Sequence, residues 1–201
     1  MRATKRRLCG LLAMALSGLL IATPARALGS AGSTPTAFHS ETDGDAGADR
    51  QAISREIERF RSSSISISQA MAIAEARHAG ATTADVSFDG GSGVPVYHVK
   101  TLHNDRLWRQ TINASTGEII GGEAALPIAE LNVEDRSNLA ALGTIRHRLA
   151  DAVSVAEQAA SGKAISGGLV RERGRLNFAI VVISGDNLKE VILEPPGARS
   201  K

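Results

Sequence analysis

Cysteine is all but missing from this 201-residue chain, with Cys9 the only one. After residue 27 there is no thiol to form a disulfide, a thiolate metal site or a cysteine nucleophile. Aromatic residues are scarce as well: four Phe, one Tyr and one Trp. A core must therefore be built from aliphatic side chains, and 43% hydrophobic residues suffice for that. Sequence motifs of known chemistry are also lacking. His39, His78, His98, His103 and His147 are followed by Ser, Ala, Val, Asn and Arg, so no H-E-x-x-H exists. There is no G-x-S-x-G elbow, P-loop or G-x-G-x-x-G fingerprint.

The first feature present is an address. Arg2, Lys5, Arg6 and Arg7 precede the apolar run Leu8–Ala22, Pro24 interrupts it, and Ala25-Arg26-Ala27 places small residues at the −3 and −1 positions. This pattern predicts a signal peptide over 1–27, cleaved after Ala27. The run is shorter than the roughly 20 residues of a membrane-spanning helix. Cys9 stands at the start of the run, behind Arg7-Leu8, where lipoprotein processing does not place its cysteine. The expected product is exported, to a bacterial periplasm or beyond, with no membrane span. It carries 18 basic and 21 acidic side chains, about −3, because five of the chain's 23 basic residues and none of its 21 acids lie in 1–27. That balance argues against nucleic acid as a partner, since gripping phosphates takes a basic surface.

Residues 28–48 are mostly small and polar, too poor in apolar surface to offset ordering entropy, and predict a disordered leader. Ile53, Ile57 and Phe60 recur at helical spacing and predict a helix within 49–64, over Asp49–Arg61. Ser66 with Gln69 three residues on is a capping-box pattern. Ile67, Ala70, Met71, Ala74 and His78 then share one helical face, and Gly80 stands where a terminating glycine belongs. Strands follow over 84–88, 94–102 and 107–113, with a short fourth at Glu118-Ile119-Ile120. The order returns after a helical connector, 123–143, with Leu131, Leu139 and Leu142 as its apolar positions. A shift of 82 places Ile67, Ala70, Met71, Ala74 and Glu75 on Leu149, Ala152, Val153, Ala156 and Glu157, and Gly80 on Gly162. A shift of 81 places Tyr97 and Val99 on Phe178 and Ile180. The reading is an α+β fold: two repeats, 65–122 and 144–201, each a helix on a three- to four-stranded antiparallel sheet. Tyr97, Val99 and Thr101, and Phe178, Ile180 and Val182, are expected to face the helices. Units this small are marginal alone, so the two are expected to pack on each other.

Few residues stand out as carriers of chemistry. His98 and His103 are five apart, on opposite faces of a continuous strand, which denies them a shared metal. His78 falls near a helix C-terminus, where positive charge is favoured. Gly90, Gly91 and Gly93 lie between strands and read as a hairpin turn. Asp43, Asp45 and Asp49 read as solvating charge, and Arg171-Glu172-Arg173-Gly174-Arg175 as a solvated hairpin tip. Trp108, the sole tryptophan, is the one candidate partner contact, against a competing role in packing. No catalytic, cofactor or metal residue is predicted.

Three stretches carry a family resemblance. They are Ser66-Ile67-Ser68-Gln69-Ala70-Met71-Ala72-Ile73-Ala74-Glu75, Gly93-Val94-Pro95-Val96-Tyr97-His98-Val99, and Ile112-Asn113-Ala114-Ser115-Thr116-Gly117-Glu118-Ile119-Ile120. In this order they resemble the PepSY domain, with Asn113 where that family usually has Asp. The second repeat, Leu149–Gly197, is a weaker match, because Leu193-Glu194-Pro195-Pro196-Gly197 replaces the closing motif. The resemblance implies a small α+β module found in metallopeptidase propeptides and exported bacterial proteins. It implies a non-enzymatic regulatory or binding role, with a cell-envelope peptidase as the expected protein partner. The open edges of a three- or four-stranded sheet suggest strand addition as the way such a partner is engaged. The alternative is a carrier that binds a small ligand in a cleft between the repeats.

Overall fold

A computed structural model describes residues 43–91, 93–145, 147–172 and 174–195, with side chains from residue 51 onward. The expected signal peptide, Cys9, His39 and most of the expected leader lie outside the described residues. The elements are α1 (Asp43–Arg61), α2 (Ile67–Ala76), β1 (Thr82–Asp89), β2 (Val96–His103), β3 (Arg106–Asn113), β4 (Ala124–Pro127), a 3₁₀ turn (Ile128–Glu130), α3 (Val133–Leu142), α4 (Leu149–Ala160), β5 (Lys163–Glu172), β6 (Arg175–Ser184) and β7 (Asn187–Leu193). The fold is α+β, and the order helix, strand, strand, strand occurs twice. The strands do not form two sheets that face each other. They join edge to edge in one antiparallel sheet, β4-β3-β2-β1-β5-β6-β7. The seam is short: Asp85, Val86 and Ser87 pair with Gly168, Gly167 and Ser166.

Local sequence accounts for the helices. Ser66 Oγ accepts the Gln69 N–H at 3.2 Å, and Gln69 Oε1 accepts the Ser66 N–H at 2.8 Å. This reciprocal cap satisfies two of the N–H groups that a helix start leaves unpaired. Ile67, Ala70, Met71 and Ala74 are buried along α2, and Leu149, Ala152, Val153 and Ala156 along α4. Both stripes press on one face of the sheet, against Val86, Phe88, Tyr97, Val99, Phe178, Ile180 and Val182, in one continuous core. Tyr97, Val99 and Thr101 face the helices as expected, as do their counterparts in β6. Phe60 of α1 meets Phe88 edge-on at 5.2 Å between centroids, and Phe88 meets Tyr97 at 5.4 Å. Leu139 and Leu142 of α3 complete the core, while Leu131 packs against it partly buried.

Several expectations need correction. α1 begins at Asp43, so residues 43–48 belong to this helix and not to a leader; acidic residues are favourable at a helix N-terminus. α2 ends at Ala76, and His78 lies in the following turn and not on the helix. Glu118-Ile119-Ile120 is not a strand. Gly117, at φ +78°, turns the chain back, and Ile119 makes an isolated bridge to Ile112. Gly121, also at φ +78°, then kinks the chain, and regular pairing resumes only at β4, along Arg106–Arg109. The connector accordingly contains a strand as well as a helix.

Candidate functional site

Side-chain alternation along β3 puts Trp108, Gln110 and Ile112 on the face of Tyr97, Val99 and Thr101, beneath α2, and Leu107 on the opposite one. Trp108 pairs across the sheet with Thr101 on β2 and Ala125 on β4. Its ring is half-buried beneath the turn that follows α2. There it lies against His78, with centroids 4.0 Å apart and the rings tilted by 35°. His78 also stacks on His103 at 5.4 Å and 17°. Glu123, just before β4, closes the cluster. One carboxylate oxygen takes Arg77 Nε at 3.0 Å and Gln110 Nε2 at 3.2 Å. The other stands 3.4 Å from His78 Nε2, within ion-pair range but without hydrogen-bond alignment.

This cluster is polar to an unusual degree for its depth. His78 Nε2, Thr101 Oγ1, Trp108 Nε1 and Gln110 Oε1 are the buried side-chain polar atoms without a partner among the described residues. An unpaired buried group costs about 1–3 kcal/mol, so such groups concentrate where packing is not the only demand. His98 lies on the opposite face, 3.6 Å from Asp89 and 3.3 Å from Thr111 Oγ1. The structure thus brings His78, His103 and Trp108 together and leaves His98 apart. Among the described residues, no group of three His, Asp or Glu side chains is placed to hold a metal ion.

A concavity lies where the two helix–meander units meet. It is a groove of about 340 Å³ lined by Phe60, Ser63, Ile65, Tyr97, Glu157 and Lys163, among others. Its polar groups serve the fold. The Tyr97 hydroxyl donates to Ile65 O at 2.7 Å. Burial, reinforced by the Glu157 charge, pushes this phenol up to about 12. Glu157 accepts the Ala164 N–H at 2.9 Å and stands 3.8 Å from Lys163 Nζ. Nothing in this groove favours the small-ligand carrier.

Sequence reasoning missed three structural devices. Arg59 Nη1 donates to the carbonyls of Gly90, Gly91 and Gly93, at 2.6, 2.8 and 3.3 Å, and so clamps the β1–β2 turn to α1. Nearby Glu56 has its pKa raised by burial, against a lowering hydrogen bond from the Gly90 backbone. Glu75 accepts both Thr83 N at 2.8 Å and Thr83 Oγ1 at 2.9 Å, which ties α2 to the start of β1. Glu157 does the same for α4 and β5, and the matched positions of the two glutamates were the available signal.

Comparison with known proteins places part of the chain. Among solved structures, that of a candidate lipoprotein from Clostridium difficile 630 is similar at 16% identity, over 68% of this chain and 90% of that one, with a TM-score of 0.39. No curated protein matches. Residues 64–123 match the model of the PepSY family, described as the peptidase propeptide and YPEB domain, and this stretch holds α2, β1, β2, β3 and the Trp108 cluster.

Proposed function

We propose that this chain is a non-enzymatic, exported regulatory module whose partner is a peptidase of the cell envelope. The observation that carries this reading is the match of residues 64–123 to a family of peptidase propeptides. Export is supported by the charged, apolar and small-residue order of residues 1–27. The buried side chains are consumed in one core, and Trp108 is the candidate partner contact within the matched stretch. The second helix–meander unit is, on this reading, a diverged copy of the first. The paired glutamates support that, as do the irregularities between Thr83 and Asp85 in β1 and between Ala164 and Ser166 in β5, which fall at matching positions.

The test is direct. The purified chain is titrated into exported peptidases from the same cells while cleavage of a fluorogenic peptide is followed. A stoichiometric change in rate supports the reading. Unchanged rates, with no co-elution on size-exclusion chromatography, overturn it.

A further inference from the structure

The two edges of the sheet are finished differently. At the β3 edge the chain covers itself. β4 pairs with Arg106–Arg109, and further along β3 Ile120 N donates to Thr111 O and Asn113 N to Glu118 O. β4 is itself only four residues long and ends in Pro127, features that blunt an edge. At the other edge, no described segment pairs with the outer side of β7. The difference traces to sequence. Ile112-Asn113-Ala114-Ser115-Thr116-Gly117 reverses the chain after β3, whereas β7 runs on into Glu194-Pro195 with no return strand among the described residues.

The bare strand carries two charged side chains: Lys189, whose Nζ turns back to Ser184 Oγ at 3.2 Å and Ala160 O at 3.5 Å, and Glu190, which stays open. Ser184 pairs with Asn187 around a two-residue turn, which makes them the hydrogen-bonded closing pair of the hairpin. Alternation then turns the backbone groups of Lys189, Val191 and Leu193 inward and those of Leu188, Glu190 and Ile192 outward. The same three outward residues share the face opposite α2 and α4. Leu188 and Ile192 are 42% and 40% exposed, among the few large apolar side chains left open, with Glu190 exposed between them. Their neighbours on β6 are Ile183, Val181 and Ala179.

This pattern selects its occupant. A second copy adding antiparallel to β7 brings Leu188 opposite Ile192 only in the register that also sets Glu190 opposite Glu190, and facing like charges destabilise a pair. A strand with an apolar, basic, apolar series on one face meets Leu188 and Ile192 with apolar contacts and Glu190 with an opposite charge. We infer that β7 is a docking edge for an extended segment of another protein, added antiparallel, with a lysine or arginine opposite Glu190 and apolar residues opposite Leu188 and Ile192. The inference rests on reading the chain as a binding module and names where and what it binds.

The test uses the full chain and two blocked peptides, Val-Thr-Lys-Thr-Val and its counterpart with Glu for Lys. Amide exchange and amide chemical shifts are followed by NMR during titration. The lysine peptide should slow exchange at Leu188, Glu190 and Ile192 and bind about threefold tighter than the glutamate peptide, the scale of one cross-strand charge pair. Glu190→Lys should invert the preference, and Glu190→Gln should abolish it. Protection that maps away from β7, an absence of protection, or a preference unmoved by both variants overturns the inference. So does self-association of the wild-type chain through β7 without peptide. Peptide binding at β7 beside unchanged peptidase rates leaves this inference standing and removes the peptidase; altered rates with β7 silent do the reverse.

Discussion

The two helix–meander units solve the same packing problem with different finishing. Each lays four small or aliphatic residues of a helix onto an aromatic-bearing middle strand: Ile67, Ala70, Met71 and Ala74 over Tyr97, and Leu149, Ala152, Val153 and Ala156 over Phe178. Each ties the end of that helix to the next strand through a glutamate carboxylate. They part where the aromatic residue meets its surroundings. Tyr97 carries a hydroxyl that holds Ile65 and so fixes the approach to α2, while Phe178 only fills volume. They part again after the third strand, where the first unit turns back to cover its edge. The shared features are those the core requires; the differences lie at the periphery, where packing no longer dictates the residue.

That division predicts how substitutions will behave. Phe178→Ala should be the most damaging, at about 3–5 kcal/mol in urea unfolding, because it empties a fully buried site. A loss under about 1 kcal/mol would mean that the second unit is looser than its burial implies. Gly162→Ala should cost about 2–3 kcal/mol, since an added Cβ meets the Ile183 carbonyl. Its counterpart Gly80 has open space around it and a φ of +86°, so Gly80→Ala should cost only about 1 kcal/mol. Equal losses at the two glycines would erase this contrast. Glu75→Ala and Glu157→Ala should each cost about 1–3 kcal/mol by leaving a buried N–H on Thr83 or Ala164 unpaired. If only one of them matters, the clasps are not equivalent.

Tyr97 adds a pH dependence that Phe178 lacks. Its folded pKa, near 12, lies above the ordinary 10, so the folded state holds the phenolic proton more tightly than the unfolded state does. The resulting stability is fully present below pH 10 and is lost as pH rises to about 12. Tyr97→Phe should flatten the fall in melting temperature over that window, and an unchanged alkaline slope would assign it to other groups. The smallest effect concerns Trp108. His78→Ala should leave stability within about 1 kcal/mol yet shift the Trp108 emission, because the imidazole lies on the indole face. Fluorescence that ignores the substitution would mean that the rings do not meet in solution.

Much of this architecture was legible because it is local. The Ser66 capping box, the apolar stripe of α2, and the alternation of Tyr97, Val99 and Thr101 are all written in short windows of sequence. Pairing across elements was not. The joining of β1 to β5 rests on backbone groups and on Gly167 and Gly168, which carry no periodic signal. Ile119-Ile120 read as a strand because the residues suit one; the glycines on either side break the pairing to a single bridge. Of the candidate site, Trp108 was singled out, but its neighbours His78, His103 and Glu123 come from three separate segments. No spacing rule relates them, and His78 was assigned to a helical face that ends two residues earlier.

The seam between β1 and β5 bears on any attempt to cut the molecule. Besides its own strands, α2 touches β5 and α4 touches β1, so each helix straddles the join. A fragment trimmed to the family-matched stretch would bare the Asp85–Ser87 ladder and the flank of α2 together, creating a cohesive margin that the intact chain never shows to solvent. Such a piece should clump or pair with itself, whereas the whole chain should melt in a single cooperative step.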